Sequence, residues 1–229
     1  ELADRLDAVL AVVYLVFTEG YSPTAGSVVR ADLSDRALHL AGALAELMPD
    51  QPEVHALRAL LLLHDSRRAA RTDAAGDPVP LDEQDRALWD TDRVQAGMAA
   101  LTAAAAALGD RPPGQYLLQA SIAACHTAAP HTPWPRVVAL YDALLAVAPT
   151  PHAALARAVA VGRAEGPDAG LDALAAVTGV DPGLRAAAEG DLHRRAGRPD
   201  AAARAYLVAR DLTSGATRRF VERRLAETG

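Results

Sequence analysis

Apolar residues recur at helical spacing along this chain, and proline stands repeatedly where a helix would begin. The first segment shows the spacing, with apolar side chains at Leu2, Leu6, Val9, Leu10, Val13 and Phe17. Six prolines lie before or within the first turn of a predicted helix: Pro52, Pro135, Pro151, Pro167, Pro182 and Pro199. Proline fits there because the first N–H groups of a helix have no partner within it. Strand signals are almost absent, so the chain is predicted to be all-α.

The periodicity predicts eleven helices. They are expected near residues 2–18, 34–48, 52–68, 82–108, 114–127, 135–147, 151–164, 168–177, 183–196, 199–212 and 215–227. Thr150 and Asp181, each directly before a proline, are predicted N-caps. Gly20 is expected to end the first helix in the left-handed conformation. Hydrophobic residues make up 51% of the chain but aromatic residues only 4%, so Ala, Leu and Val are expected to fill the helix interfaces.

The C-terminal half repeats with a period near 33 residues. Tyr141, Leu174 and Tyr206 each lie eight residues before a proline or serine, and they are 33 and then 32 residues apart. Small residues are found where paired helices would approach each other: Ala158, Gly170, Gly190 and Ala202. Gly197 falls at the expected turn of the last pair. The period resembles that of the tetratricopeptide (TPR) repeat, so we predict a TPR-like α-solenoid of antiparallel helix pairs with an irregular N-terminal helical portion.

Two regions are distinguished by this pattern. Residues 1–132 are interpreted as the irregular N-terminal portion, and residues 133–229 as the TPR-like repeats. The proline-rich stretch around Pro130, Pro133 and Pro135 separates them. It is interpreted as a break inside one continuous superhelical domain rather than as a domain linker.

Charge and composition disfavour several classes of function. A net charge of −6 makes the whole chain a poor binder of polyanions, and a solvated helix face accounts for the basic patch at Arg218, Arg219, Arg223 and Arg224. The longest apolar run, residues 9–17, is far shorter than the roughly 20 residues that span a bilayer. The lone Cys125 is predicted to be a core residue, and its inability to form an internal disulfide suits a reducing cytoplasm.

A dense run of charge follows an apolar segment, and we call residues 64–90 the charged corner. Its first part is mostly basic and comprises His64, Asp65, Arg67, Arg68 and Arg71. After a break at Gly76, Pro78 and Pro80, its second part comprises Asp82, Glu83, Gln84, Asp85, Arg86, Trp89 and Asp90, which are predicted to open the next helix. Cations at a helix C-terminus and anions at a helix N-terminus both suit the helix dipole. The corner is therefore either a mutually neutralising surface or a recognition site.

Several phrases of the sequence together resemble one protein family. The distinctive ones are F-x-E-G-Y in residues 17–21, H-D-x-R-R-x-A-R in residues 64–71 and Q-D-R-x-x-W-D in residues 84–90. With GQYLLQASIAACH (114–126) and LYDALLAVAPTPHAALARAVAV (140–161), they resemble the C-terminal extension of extracytoplasmic-function (ECF) RNA polymerase sigma factors of the subgroup with a TPR-like tail. The resemblance runs along essentially the whole chain in the same order.

Two differences from the family pattern are visible. Thr18 and Ala156 stand where the family usually has asparagine, and an asparagine side chain in a TPR groove can hydrogen-bond a peptide backbone. Their replacement weakens the expectation of a peptide clamp. In addition, nothing in the chain resembles the two helical modules that bind core polymerase and promoter DNA, which would lie upstream of Glu1. Since the chain also begins without Met, it is expected to be part of a longer protein.

The resemblance implies a regulatory, protein-interaction domain that takes part in transcription initiation, in the cytoplasm, without enzymatic activity or a cofactor. The implied partners are the upstream sigma modules of the parent protein, core RNA polymerase or a signalling protein. Promoter DNA would be contacted only through the missing upstream part.

The predicted interaction residues lie in the charged corner and at the end of the first helix. They are Glu19, Tyr21, His64, Asp65, Arg67, Arg68, Arg71, Gln84, Asp85, Arg86 and Trp89. Glu19 is expected to accept a hydrogen bond from Arg67 or Arg71. Trp89 is expected either to make a cation–π contact with a neighbouring arginine or to anchor a partner.

Other functions stay open at this point. One is a free-standing TPR scaffold that binds a peptide. Another is an enzyme or sensor in which His64, oriented by Asp65 and accompanied by Arg67 and Arg71, acts on a small acidic ligand. No histidines are paired at i,i+4 spacing and no Gly-rich loop follows a strand, so neither a metal nor a nucleotide cofactor is predicted.

Overall fold

The computed structural model describes residues 2–21, 31–127 and 131–228. In these ranges the chain forms eleven α-helices: α1 (Leu2–Tyr21), α2 (Ala31–Leu47), α3 (Pro52–Asp65), α4 (Thr91–Leu108), α5 (Gln115–Thr127), α6 (Trp134–Val147), α7 (Pro151–Ala164), α8 (Pro167–Ala175), α9 (Pro182–Arg195), α10 (Pro199–Leu212) and α11 (Gly215–Ala226). Three single-turn 3₁₀ helices, at Arg68–Ala70, Leu81–Glu83 and Arg86–Leu88, lie between α3 and α4. No strand occurs in the described ranges, and the all-α prediction is confirmed.

The helix starts predicted from proline and from the N-caps Thr150 and Asp181 are confirmed. Prolines occupy the first turn of α3 and of every helix from α6 to α10. The Thr150 hydroxyl accepts a hydrogen bond from the Ala153 N–H at 3.1 Å, and Asp181 Oδ1 accepts one from the Leu184 N–H at 3.0 Å. Gly197 has a positive φ of 69°, as a turn between paired helices requires.

Three predicted helix limits are wrong. The segment 82–90 does not open a long helix, because Asp85 and Asp90 each use a side-chain oxygen to cap a new start, at Ala87 N–H (2.9 Å) and Arg93 N–H (3.0 Å). Aspartate favours such local caps over helix interiors. At the end of α3, Ser66 is the C-cap and its hydroxyl donates to the Leu63 carbonyl at 2.8 Å, so α3 ends at Asp65. Gly20 is not left-handed; it lies buried inside α1, which continues to Tyr21.

The chain divides into two compact units, each described here by itself. Unit 1 contains Glu1–Thr72 and Val79–His131, and unit 2 contains Asp73–Pro78 and Thr132–Gly229. The prediction that residues 1–132 and 133–229 make one continuous superhelix stays a prediction.

In unit 1, α3 is the central helix and packs against α1, α2, α4 and α5. Its leucines Leu57, Leu60, Leu61 and Leu63 are almost completely buried, as expected for a helix that is apolar on nearly all sides. Glu53 of α3 also caps a neighbouring helix, because its two carboxylate oxygens accept from the N–H groups of Tyr116 (2.8 Å) and Leu117 (3.2 Å) at the start of α5. Burial raises the pKa of Glu53, and the hydrogen bonds from these amides oppose that effect. The sequence pattern gave no sign of this cap.

In unit 2, consecutive helices from α6 to α11 pack against one another. Two close approaches depend on glycine. At Gly170 an added Cβ would come within 2.7 Å of the Gly162 Cα, and at Gly190 it would come within 2.6 Å of the Tyr206 ring. The prediction of small residues at these crossings is confirmed for Gly170 and Gly190, and Gly162, which the sequence analysis did not single out, lies against Gly170.

Candidate interaction site

The charged corner is closed by backbone hydrogen bonds within unit 1. The Asp90 N–H donates to the Ser66 carbonyl at 2.8 Å and so joins the end of α3 to the start of α4. Further out, the Val79 N–H donates to the Arg71 carbonyl at 2.8 Å, and Gln84 Nε2 donates to the Val79 carbonyl at 3.0 Å. The corner is therefore a folded element whose two parts are held at a fixed separation.

Asp65 forms the centre of a network of ion pairs. Its side chain is completely buried, and its Oδ1 accepts from Arg68 Nε at 2.8 Å while its Oδ2 pairs with the guanidinium of Arg93. Arg68 also reaches Asp35 on α2 at 2.7 Å, and Arg93 lies 3.3 Å from Asp90. Three carboxylates and two guanidinium groups thus satisfy one another. This half of the corner connects α2, α3 and α4 and has a structural role.

Arg67 lies in the other half of the corner and is 9% exposed. Its Nη2 donates to His64 Nδ1 at 3.1 Å. Because arginine can only donate, Nδ1 must be the acceptor nitrogen, and the neutral His64 ring therefore carries its proton on Nε2. Burial, reinforced by the positive charges of Arg67, Arg71 and His126, lowers the pKa of His64 to about 3. At neutral pH the histidine adds no charge to this cluster.

Trp89 lies beside two guanidinium groups. Its side chain is 8% exposed, and the Cζ atoms of Arg86 and Arg67 are 4.7 Å and 5.9 Å from the ring centroid. The predicted cation–π contact is confirmed, whereas an anchoring role for Trp89 stays a prediction. Its indole N–H is buried without a hydrogen-bond partner among the described residues. Arg86 is exposed and donates through Nη2 to the His126 carbonyl at 3.2 Å, near the C-terminus of α5, where a cation is favoured.

The remaining predicted residues are placed less centrally. Glu19 is half-buried in α1. Of its two predicted donors, Arg67 is engaged with His64, and a bond from Arg71 stays a prediction. The structure describes Tyr21 only as the last residue of α1, and its side chain is outside the described part. The Asp85 side chain caps the Ala87 N–H, and the Gln84 side chain donates to the Val79 carbonyl.

Sequence reasoning missed three participants. Asp35 and the His126 carbonyl come from segments 33 and 40 residues away from the arginines that they contact, so no local pattern could reveal them. For Arg93 the sequence offered a weak indication of an ion pair, because this arginine follows Asp90 at the i,i+3 spacing of paired charges on a helix.

His64 is poorly suited to be a general base. A base of pKa about 3 takes up a proton only weakly near neutral pH, and its Nδ1 already accepts a hydrogen bond from Arg67. Two surface pockets among the described residues, one along α2 and one at α6, α7 and α8, are not lined by His64. The described ranges also contain no group of three or more His, Cys, Asp or Glu side chains that could hold a metal ion.

The arginines of α11 in unit 2 are all paired with carboxylates. Arg218 and Arg224 bond to Glu222 and Glu227 on the same stretch of chain. Arg219 and Arg223 bond to Asp77 and Asp73, respectively. Each of these four arginines is therefore neutralised by a carboxylate. Across the helices that the structure describes, none is long and apolar enough to cross a membrane.

Comparison with known proteins finds similarities over parts of the chain. Residues 5–105, which include the charged corner, match a family of unknown function, DUF6596. A protein of Rhizobium meliloti (strain 1021), described as uncharacterized, is 45% identical over 173 residues. These residues cover 74% of this chain but 40% of the relative, so the chain spans less than half of that protein's length. No solved structure shows a significant match.

Proposed function

We propose that this chain is the regulatory, protein-interaction module of an ECF-type sigma factor and that it acts by docking rather than by catalysis. The sequence phrases of the charged corner and of the first helix support the family assignment. The Rhizobium meliloti relative supports a larger parent protein, because more than half of its length lies outside the match. Docking on the sigma modules upstream would control their access to promoter DNA in the cytoplasm. Core RNA polymerase and a signalling protein are the other partners of this proposal.

The observation that carries the proposal is the asymmetry of the charged corner. Arg68 and Arg93 are neutralised by Asp65, whereas Arg67 and Arg86 are held against Trp89 with no carboxylate beside them. In a surface whose only role is to neutralise its own charges, Arg67 and Arg86 would also be expected to have carboxylate partners. Specificity for a partner is therefore assigned to Arg67, Arg86 and the neighbouring Arg71, and Arg68 is assigned to stability.

The direct test is calorimetric binding of this chain to the sigma modules encoded upstream of Glu1 in its own gene, expressed separately. Micromolar or tighter binding that is weakened by Arg86→Ala, but not by Arg36→Ala, would support the proposal. Arg36 is a suitable control because it is an exposed arginine of unit 1 outside the corner. A gene without such modules, or modules that do not bind, would overturn the assignment to a sigma factor.

A second candidate is a scaffold that binds a peptide in unit 2. The observation in its favour is a groove lined by Leu145, Ala154, Arg157, Ala173 and Val177, where apolar side chains surround one cation. The absence of sigma modules in the gene, together with peptide binding that Arg157→Ala abolishes, would favour this candidate.

A further inference from the structure

Arg67 and Arg86 differ from Arg68 and Arg93, the other arginines described around the charged corner, in having no acidic partner. Among the residues that the structure describes, no carboxylate lies within ion-pairing distance of either guanidinium. Asp65, the acidic residue nearest to Arg67 in the sequence, pairs with Arg68 and Arg93 instead. Asp85, which precedes Arg86, uses its side chain to cap Ala87. The pair therefore carries two positive charges that the fold does not neutralise.

The burial of Arg67 makes its missing counterion costly. Arginine does not lose its proton in proteins, so a guanidinium that is 9% exposed remains charged. A buried charge without an ion partner is unfavourable, and a neutral imidazole compensates it only in part. An anion brought to this place by a ligand would supply the missing interaction.

Arg86 is positioned in advance for such an anion. Its guanidinium lies over the Trp89 ring at 4.7 Å, and one Nη2–H is fixed on the His126 carbonyl. A guanidinium group has five N–H donors, and the hydrogen bond to the His126 carbonyl uses only one of them. Because the side chain is already held in place, less conformational entropy is lost when a ligand binds.

We propose that Arg67 and Arg86, held against Trp89, form the receptor for a carboxylate side chain on an acidic segment of a partner protein. A planar carboxylate can accept two parallel hydrogen bonds from the edge of an arginine. A nucleic acid fits less well, because the net charge of −6 repels a polyanion at longer range. This inference rests on the proposed interaction function and names the chemistry that the partner must present.

The two tryptophans of the chain permit a direct test. Trp134→Phe in unit 2 leaves Trp89 as the only indole, so its fluorescence reports on the receptor itself. In this background we expect blocked tetraglutamate to cause a saturable change in emission that rising NaCl weakens, whereas blocked tetraglutamine causes none. Arg86→Ala should weaken the binding by roughly tenfold or more, since it removes charge-assisted hydrogen bonds. Arg36→Ala should leave the affinity unchanged.

Arg67→Ala should also weaken the binding of tetraglutamate, and further measurements keep the test decisive if that variant fails to fold. Arg86→Lys retains the charge but not the flat edge, so its affinity should fall between those of the parent and Arg86→Ala. Tetraglutamate that leaves the emission unchanged, or that binds Arg86→Ala as tightly as the parent, would overturn the receptor. Inorganic phosphate that saturates the same change at lower concentration than tetraglutamate would also overturn it, in favour of a small-oxyanion site.

The receptor and the proposed function can fail separately. Tetraglutamate binding that depends on Arg86, without binding of the sigma modules, would retain the receptor and reject the sigma partner. Binding of the modules that is insensitive to Arg86→Ala would retain the function and reject the receptor.

Discussion

At Asp65 one carboxylate sets the position of two helices through two arginines. Asp65→Asn would leave Arg68 and Arg93 without their shared anion, and breaking a buried pair in this way costs about 3–5 kcal/mol. We expect the lower end of that range, because the two arginine side chains are 26% and 35% exposed and water can solvate them in part. Urea unfolding measures the loss. Asp35→Asn, which removes a largely exposed partner, should cost less than about 1 kcal/mol, and equal losses for both would contradict this view.

His64 predicts a pH dependence of stability with a defined sign. Burial and the charges of Arg67, Arg71 and His126 lower its pKa from 6.5 to about 3. A group with a depressed pKa contributes stability that is present above the unfolded value, near 6.5, and is lost as the pH falls toward 3. The free energy of unfolding should therefore decline on acidification more steeply for the parent than for His64→Gln. Proton NMR supplies the direct check, and a His64 resonance that titrates between pH 6 and 7 would contradict the prediction.

Two glycines in helices predict opposite effects of the same substitution. Gly170→Ala places a Cβ 2.7 Å from the Gly162 Cα, and backbone at that distance cannot move aside cheaply, so we expect a loss of about 1–3 kcal/mol. Gly42→Ala in α2 meets nothing within 4 Å and should stabilise by about 0.5–1 kcal/mol, because alanine loses less backbone entropy in a helix. Chemical denaturation of both variants tests the pair. A neutral Gly170→Ala would show that α7 and α8 are packed less closely than described.

The helix limits fall into those that the sequence predicts and those that depend on contacts made on folding. Proline and the caps Thr150 and Asp181 act within a few residues, so the starts of most helices could be predicted. The stretch 82–90 has helix-compatible residues, yet local caps at Asp85 and Asp90 divide it, and the burial of Trp89 depends on tertiary contacts. For the candidate site, the sequence identified the arginines. It could not show which of them are neutralised, because Asp35 and Arg93 become partners only through folding.

At the scale of the whole molecule, one short segment is separated from its sequence neighbours. Asp73–Pro78 lies between two stretches of unit 1 but belongs to unit 2. Arg223 donates to Asp73 Oδ2 at 3.0 Å and to the Pro78 carbonyl at 3.1 Å, while Arg219 pairs with Asp77. These partners are more than 140 residues apart in the sequence, which is why α11 looked like an isolated basic stretch. The chain thus crosses between its units on both sides of this segment.

That anchoring predicts the protease sensitivity of the segment. Arg219→Ala combined with Arg223→Ala removes three ion pairs to Asp73 and Asp77, each worth about 0–1 kcal/mol, so local opening of Asp73–Pro78 should increase roughly fivefold. An endoproteinase that cuts before aspartate would report the opening as faster cleavage at Asp73 and Asp77, provided that opening is fast relative to cleavage. Arg218→Ala is the matched control, because it pairs with Glu222 inside α11 and should leave the rate unchanged. Asp73 Oδ1 also accepts from the Ala75 and Asp77 amides and so forms an Asx turn within the segment. Cleavage of the double variant at the parental rate would mean that this turn holds the segment without α11.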